Sequence, residues 1–187
     1  MGTFGVAITV PEPFGSALQA HRADFGDPLA EAIPPHVTLL PPTVVPTAEV
    51  ARFEEHLSRL AAEVAPFLMR LAGTGTFRPV SPVVFVQVSR GIPECELLES
   101  AIRSGPVERD LEFNYHPHVT VAHHLDDAAL DVAFASLGDF ACEFEVGGVD
   151  LYEHGLDGVW RVVRTFPLRG YAAAHRSGSA SLSRDGH

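Results

Sequence analysis

Two short runs carry most of the chemistry this chain offers: Pro35-His36-Val37-Thr38-Leu39 and Pro117-His118-Val119-Thr120-Val121. In a β-strand, side chains alternate between faces, so His36 and Thr38 share one face, roughly 7 Å apart, and His118 and Thr120 do the same. Val37, Leu39, Val119 and Val121 point the other way, into a core. Each run presents one imidazole and one hydroxyl from a stiff, half-buried strand. Side by side, the strands would bring together an acid, a base and two neutral hydrogen-bond donors, a set suited to a phosphate. One such tetrapeptide would carry little weight, since a histidine on a strand is commonly structural. Two copies, each preceded by proline and flanked by apolar residues, favour a functional pair.

The elements around them read as follows. Strands are expected at 3–10, 36–40, 67–72, 83–89, 117–122, 140–147, 149–154 and 158–168, from β-branched and apolar runs bounded by Gly, Pro, Asn and Asp. Helices are expected at 14–25, 48–65, 92–103 and 127–137 from apolar residues at helical spacing. Thr47 and Asp126 are the expected N-caps of the second and fourth. Pro41-Pro42 is expected to end the first motif strand. Gly73-Thr74-Gly75 has no helix after it and reads as a bulge or turn. Interleaved helices and strands with hairpin-like strand pairs argue for an α+β fold with antiparallel sheets and helices outside. The motif returns after about eighty residues, which suggests two similar lobes that each give one strand to a central groove. Residues 1–170 are read as a single bilobal domain. From 171 to 187 the chain is rich in Ser, Gly, Ala and Arg without periodicity, and is read as a disordered tail.

Composition narrows the chemistry. The chain has 187 residues, 46% of them apolar, and a net charge of −11. All 13 basic residues are Arg. Without a basic stripe, long-duplex nucleic-acid binding is not expected. Without lysine, a lysine nucleophile, a Walker-type phosphate lysine and a lysine-adenylating ligase are excluded. No apolar run approaches a membrane span, and no signal peptide is read. Cys95 and Cys142 fit no metal spacing, so a reduced, cytoplasmic setting is expected.

The paired Pro-His-Val-Thr motif resembles the two-histidine (2H) phosphoesterase superfamily, and within it the 2′-5′ RNA ligase and RNA 2′,3′-cyclic phosphodiesterase family. Pro34-Pro35, Pro41-Pro42 and the Gly73–Phe77 stretch before the 83–88 strand agree with it, and the similarity covers about residues 3–168. The resemblance implies a bilobal α+β fold with pseudo-twofold symmetry and a groove between two antiparallel sheets. It implies catalytic roles for His36 and His118, phosphate binding by Thr38 and Thr120, and no metal or nucleotide cofactor. Relatives often carry an Arg after the second motif, where this chain has Ala122-His123-His124.

Imidazole, with an ordinary pKa near 6.5, can act as acid or base near neutrality. In opening a cyclic phosphate, His118 would activate water and His36 would protonate the leaving oxygen, the symmetric motifs leaving the reverse assignment open. The reverse reaction would form a 2′-5′ linkage. Tyr115, Phe77 and Trp160 are candidates to stack a base, and Arg78, Arg161 and Arg164 candidates to supply charge, with core packing and solvation the commoner fates. Alternation puts Arg161 and Val163 on one face and Arg164 on the other. It also puts His116 and His118 with Thr120, and His123 opposite. The expected partner is a small nucleotide or an RNA terminus with a cyclic phosphate, bound by a monomer. Two alternatives stand beside this: a non-catalytic nucleotide- or phosphometabolite-binding module, and a zinc hydrolase using His116, His118, His123 and His124. No His-Glu-x-x-His run supports the second.

Overall fold

The two motif copies become neighbouring strands. In the computed structural model, which describes residues 1–107, 109–110 and 113–171, the chain runs β1 (Gly2–Thr9), α1 (Phe14–Asp24), β2 (His36–Val45), α2 (Val50–Glu63), β3 (Phe67–Thr76), β4 (Val83–Arg90), α3 (Ile92–Arg103), β5 (His118–His123), α4 (Asp127–Ser136), β6 (Ala141–Val146), β7 (Gly148–His154) and β8 (Trp160–Pro167). The tail read as disordered lies, beyond Tyr171, outside the described residues.

All pairings are antiparallel, in the order β6-β3-β4-β5-β2-β1-β7-β8. The central contact, between β2 and β5, is the single register pair Val37↔Val119. The sheet is therefore two four-stranded halves, β5-β4-β3-β6 and β2-β1-β7-β8, joined at the motif strands, and the α+β bilobal expectation holds. Val37, Leu39, Val119 and Val121 are buried in one apolar core that runs under both halves. Burying each such side chain is worth about 1.5–3 kcal/mol. That core fixes which face the intervening His and Thr take, because a one-residue slip would turn all four valines and leucines to water. On the core side, α1 lies against β5, α4 against β3, β4 and β5, α3 against β2, and α2 against α3 and β8.

Three local expectations change. β2 does not stop at Pro41-Pro42. Its register steps from Leu40↔Val6 to Thr43↔Phe4, so an extra residue bulges there, where a proline's missing N–H costs no ladder bond. β3 likewise continues through its glycines. Register moves from Leu71↔Val88 to Thr74↔Val86 around Gly73, whose φ is 71°; the glycine stretch is a bulge, as its sequence suggested. At Gly75 a Cβ would sit 2.5 Å from the Phe85 ring. Finally, Thr47 does not cap α2. It begins a 3-10 turn at Thr47–Glu49, and its hydroxyl accepts from the Met1 amino group at 2.9 Å. Asp126 does cap α4, accepting from the Ala129 N–H at 2.9 Å.

Candidate active site

Antiparallel register around Val37↔Val119 sets His36 across from Thr120 and Thr38 across from His118. All four side chains are half-buried between buried neighbours. The next strands out complete the floor: Thr9 opposite His36 and Ala7 opposite Thr38 on β1, Gln87 opposite His118 and Phe85 opposite Thr120 on β4.

The two imidazoles are held the same way. His36 Nδ1 lies 2.7 Å from the Pro34 carbonyl oxygen, and His118 Nδ1 lies 2.7 Å from that of His116. A carbonyl only accepts, so Nδ1 carries the hydrogen in each ring and Nε2 keeps its lone pair. Burial lowers the pKa of His36, with the Pro34 carbonyl opposing and the Arg22 charge adding to the fall. Burial also pushes His118 down, to about 4; its bond to the His116 carbonyl opposes this, and the His116 and His36 charges reinforce it. Both rings are therefore neutral at pH 7, each with a free nitrogen able to accept a proton.

Their walls differ. The His36 ring stacks on Trp160 at 5.5 Å and 23° and lies 6.2 Å from the Tyr152 ring. The Tyr152 hydroxyl is 2.6 Å from Thr9 Oγ1, the Thr9 hydroxyl donates to Asp150, and Thr165 donates to the other Asp150 oxygen at 2.5 Å. His118 meets the Phe77 edge at 4.9 Å, Phe85 at 5.0 Å and His116 at 6.2 Å. None of Thr9, Gln87, Asp150 and Tyr152 was a candidate from sequence. Cross-strand register brings them in, and no local pattern announces it.

The other sequence candidates scatter. Phe77 reaches the groove. Trp160, 9% exposed, is packed against His36 and is not free to stack a base. Tyr115 sits beneath the first motif strand, donating to the Thr38 carbonyl at 2.9 Å. Arg78 binds Asp131 at 2.8 Å, Arg161 binds Asp157 at 2.6 Å and Arg164 binds Glu54 at 2.5 Å. Arg161 and Arg164 share a face, against expectation: they pair with Glu153 and Leu151, and a bulge at Val163 resets the alternation. A bulge in β5 does the same for His123. Val121 and Ala122 both enter the core, and His123, paired with Val83, returns to the face of His118. Its ring stacks on His124 at 3.7 Å, while His116 lies with His118, so the four histidines considered for zinc form two pairs. Among the described residues, no three His, Cys, Asp or Glu side chains are placed to share a metal ion.

Residues 10–158 match the family model of the 2′-5′ RNA ligase superfamily. The chain belongs to that superfamily, and so to the 2H phosphoesterases. A protein of Halalkalibacterium halodurans carrying a phosphoesterase name is 27% identical over 167 residues, covering 88% of this chain and 96% of the relative. One from Bacillus cytotoxicus, named likewise, is 28% identical over 144 residues, covering 76% and 83%. Among solved structures, TT0787 of Thermus thermophilus superposes with a TM-score of 0.64 at 24% identity, covering 91% of this chain and all of that one. E. coli LigT complexed with NADP+ gives a TM-score of 0.64 at 21% identity, covering 89% and 97%. At such identities these two speak for the fold. No helix among the described residues is long and apolar enough to cross a membrane.

Proposed function

We propose that this 2H phosphoesterase opens 2′,3′-cyclic phosphates, on RNA ends or small nucleotides, by acid/base catalysis between His36 and His118 without a metal or nucleotide cofactor. The observation that carries the reading is the matched tethering of two imidazoles on adjoining strands, each by Nδ1 to the carbonyl two residues back, each with a Thr hydroxyl on the same face.

The neutral Nε2 of His118 takes a proton from water, and the oxygen so freed attacks phosphorus. The bond from phosphorus to one ribose oxygen breaks, and a protonated His36 delivers its proton to that oxygen. The negative phosphate itself favours the imidazolium form of a ring beside it, which offsets the effect of burial on the acid. Thr38 and Thr120 donate to the phosphoryl oxygens as charge collects there. The two motifs are alike, so the roles of the histidines can be exchanged, and the reverse path joins ends in a 2′-5′ linkage. Solved complexes of E. coli LigT with NADP+ and 3′-AMP support a small nucleotide as ligand. The reading includes a monomer acting in the cytoplasm, with Cys95 and Cys142 free and buried.

The test is hydrolysis of adenosine 2′,3′-cyclic phosphate in EDTA. Turnover should survive chelation, and His36→Ala and His118→Ala should each lower kcat by about 10²–10⁴-fold. Loss of turnover to EDTA, or a variant as active as wild type, would sink the mechanism. Nucleotide binding with no turnover would favour a binding module instead.

A further inference from the structure

A phosphate between His36 and His118 calls for positive charge, and among the described residues the one fixed cation whose charge reaches either ring, Arg22, is already held by Asp27. The chain lacks lysine. Among the described arginines, Arg78, Arg90, Arg103, Arg161 and Arg164 are bound to carboxylates. Arg70 stands at the end of β3 away from the motif, opposite Arg90 and Glu143. Among the described arginines, Arg22 is the one guanidinium whose charge reaches a motif imidazole, His36. It is buried, with Nε on Asp27 at 2.8 Å and Nη1 on the Ile33 carbonyl at 3.3 Å.

The surroundings of both rings are otherwise imidazole, neutral or acidic. Facing His118 are His116 just before β5, His36 across the join, Gln87 and Phe85 on β4, and Phe77 after β3. Facing His36 are Thr9 on β1, Tyr152 and, behind Thr9, Asp150 on β7, and Trp160 on β8, with His154 edge-on to that indole at 5.9 Å. Asp150 is satisfied by two hydroxyls and has no ion pair among the described residues. Gln87 gives one amide hydrogen to the Thr74 carbonyl at 2.9 Å, leaving its second as a neutral donor beside His118.

We propose that protons alone charge this groove, so that it takes a phosphodiester monoanion by protonating one imidazole and expels the dianionic monoester that hydrolysis makes. The inference rests on the phosphodiesterase reading and adds the charge class of the substrate. Each negative charge brought in must be met by a proton taken up. The first goes to one imidazole; a second must join it on a neighbouring ring, against like-charge repulsion. A phosphate monoester loses its second proton near pH 6. Above that pH it needs two protons where a diester needs one, and the chain's net charge of −11 adds to its repulsion. In turnover the water proton passes to one ring and the other ring's proton to the leaving oxygen, so the pair's proton count is unchanged. The new monoester then loses its second proton to solvent as it departs.

Calorimetry with two ligands tests this: 2′-deoxyadenosine 3′-phosphate and its 3′-methyl diester, neither able to form a 2′,3′-cyclic ester. From pH 6 to 8, the preference for diester over monoester should rise by about tenfold per unit, as one extra proton per monoester requires. Buffers of different ionisation heat should show that extra proton directly. Gln87→Arg, which sets a fixed cation beside His118, should tighten monoester binding at pH 8 by about tenfold. A preference that stays flat with pH, a monoester that binds more tightly at pH 8, or a Gln87→Arg protein with the wild-type preference would each overturn the inference. If cyclic phosphate is hydrolysed all the same, the phosphodiesterase reading survives that failure. If neither ligand binds between pH 5 and 8, the phosphate site falls, and both readings with it.

Discussion

His36 lies flat against the indole of Trp160, in a half-sheet where Tyr152, Thr9 and Asp150 form a hydrogen-bonded chain. His118 meets the edge of Phe77, in a half-sheet where Phe85, His116 and Gln87 surround it. The strands themselves are nearly interchangeable: the same proline before, the same Nδ1 bond, the same alternation of burial. What the chain repeats is therefore the part of the site that four residues can specify alone. What differs is supplied by β7 and β8 on one side and by β3 and β4 on the other. Trp160 is locked by its own burial, while Phe77 is half-buried just past a strand end. One wall is rigid and the other can give, which is a basis for unequal roles in a site whose reacting groups are equal.

After the two histidines themselves, the largest effects should come from the two hydroxyls. Thr38→Val and Thr120→Val keep the β-branched shape that suits a strand and remove only the donor. Each should lower kcat/KM for adenosine 2′,3′-cyclic phosphate by about 10²-fold, the scale of losing one donor to a charged transition state. Comparable losses would show that the phosphate bridges both halves. A loss confined to one variant would break the symmetry at its centre and move the phosphate onto one half.

The walls should separate next, in stability more than in rate. Trp160→Ala empties a buried site, and urea unfolding should show a loss of about 3–5 kcal/mol. Phe77→Ala removes a partly exposed ring and should cost about 1 kcal/mol. By NMR titration, Trp160→Ala should raise the His36 pKa toward the ordinary imidazole value and leave His118 alone, and Phe77→Ala should do the converse. Equal stability losses, or a shift in the distant histidine, would mean that the walls are not independent.

The sequence made the motif strands legible because everything that orients His36, Thr38, His118 and Thr120 is local: period-two alternation over buried valines and leucines. It also made the helices and the order of elements legible, and the glycine bulge in β3. Bulges elsewhere were not visible. Pro41-Pro42 reads as a stop when the strand is considered alone, and becomes a bulge only once β1 is known to run beside it. Val163 and Val121-Ala122 give no sign in composition that two consecutive residues will share a face, so Arg161 and His123 were assigned to the wrong sides. Thr9, Gln87 and Asp150 enter the groove through register between strands far apart in the chain. The arginines proposed as phosphate ligands each have a carboxylate within reach in space, a competition that sequence does not display.

The finest probe of the comparison is the pH dependence of folding. His118 titrates at about 4 in the folded chain against about 6.5 when unfolded. Between those values the unfolded chain holds more protons, so stability rises with pH. The contribution from a neutral, buried ring is fully present above pH 6.5 and is lost as pH falls toward 4. His36, also lowered, acts in the same direction. Urea midpoints at pH 7, 5.5 and 4.5 should therefore fall more steeply for wild type than for His118→Gln or His36→Gln, and least for the double variant. Comparing wild type with variant at each pH removes the carboxylates, which titrate in both. Inorganic phosphate should lessen the wild-type slope, because an anion between the rings stabilises their charged forms in the folded state. A His118→Gln protein with the wild-type slope would mean that its ring meets solvent in both states, and the difference between the two walls would then not extend to the protons they govern.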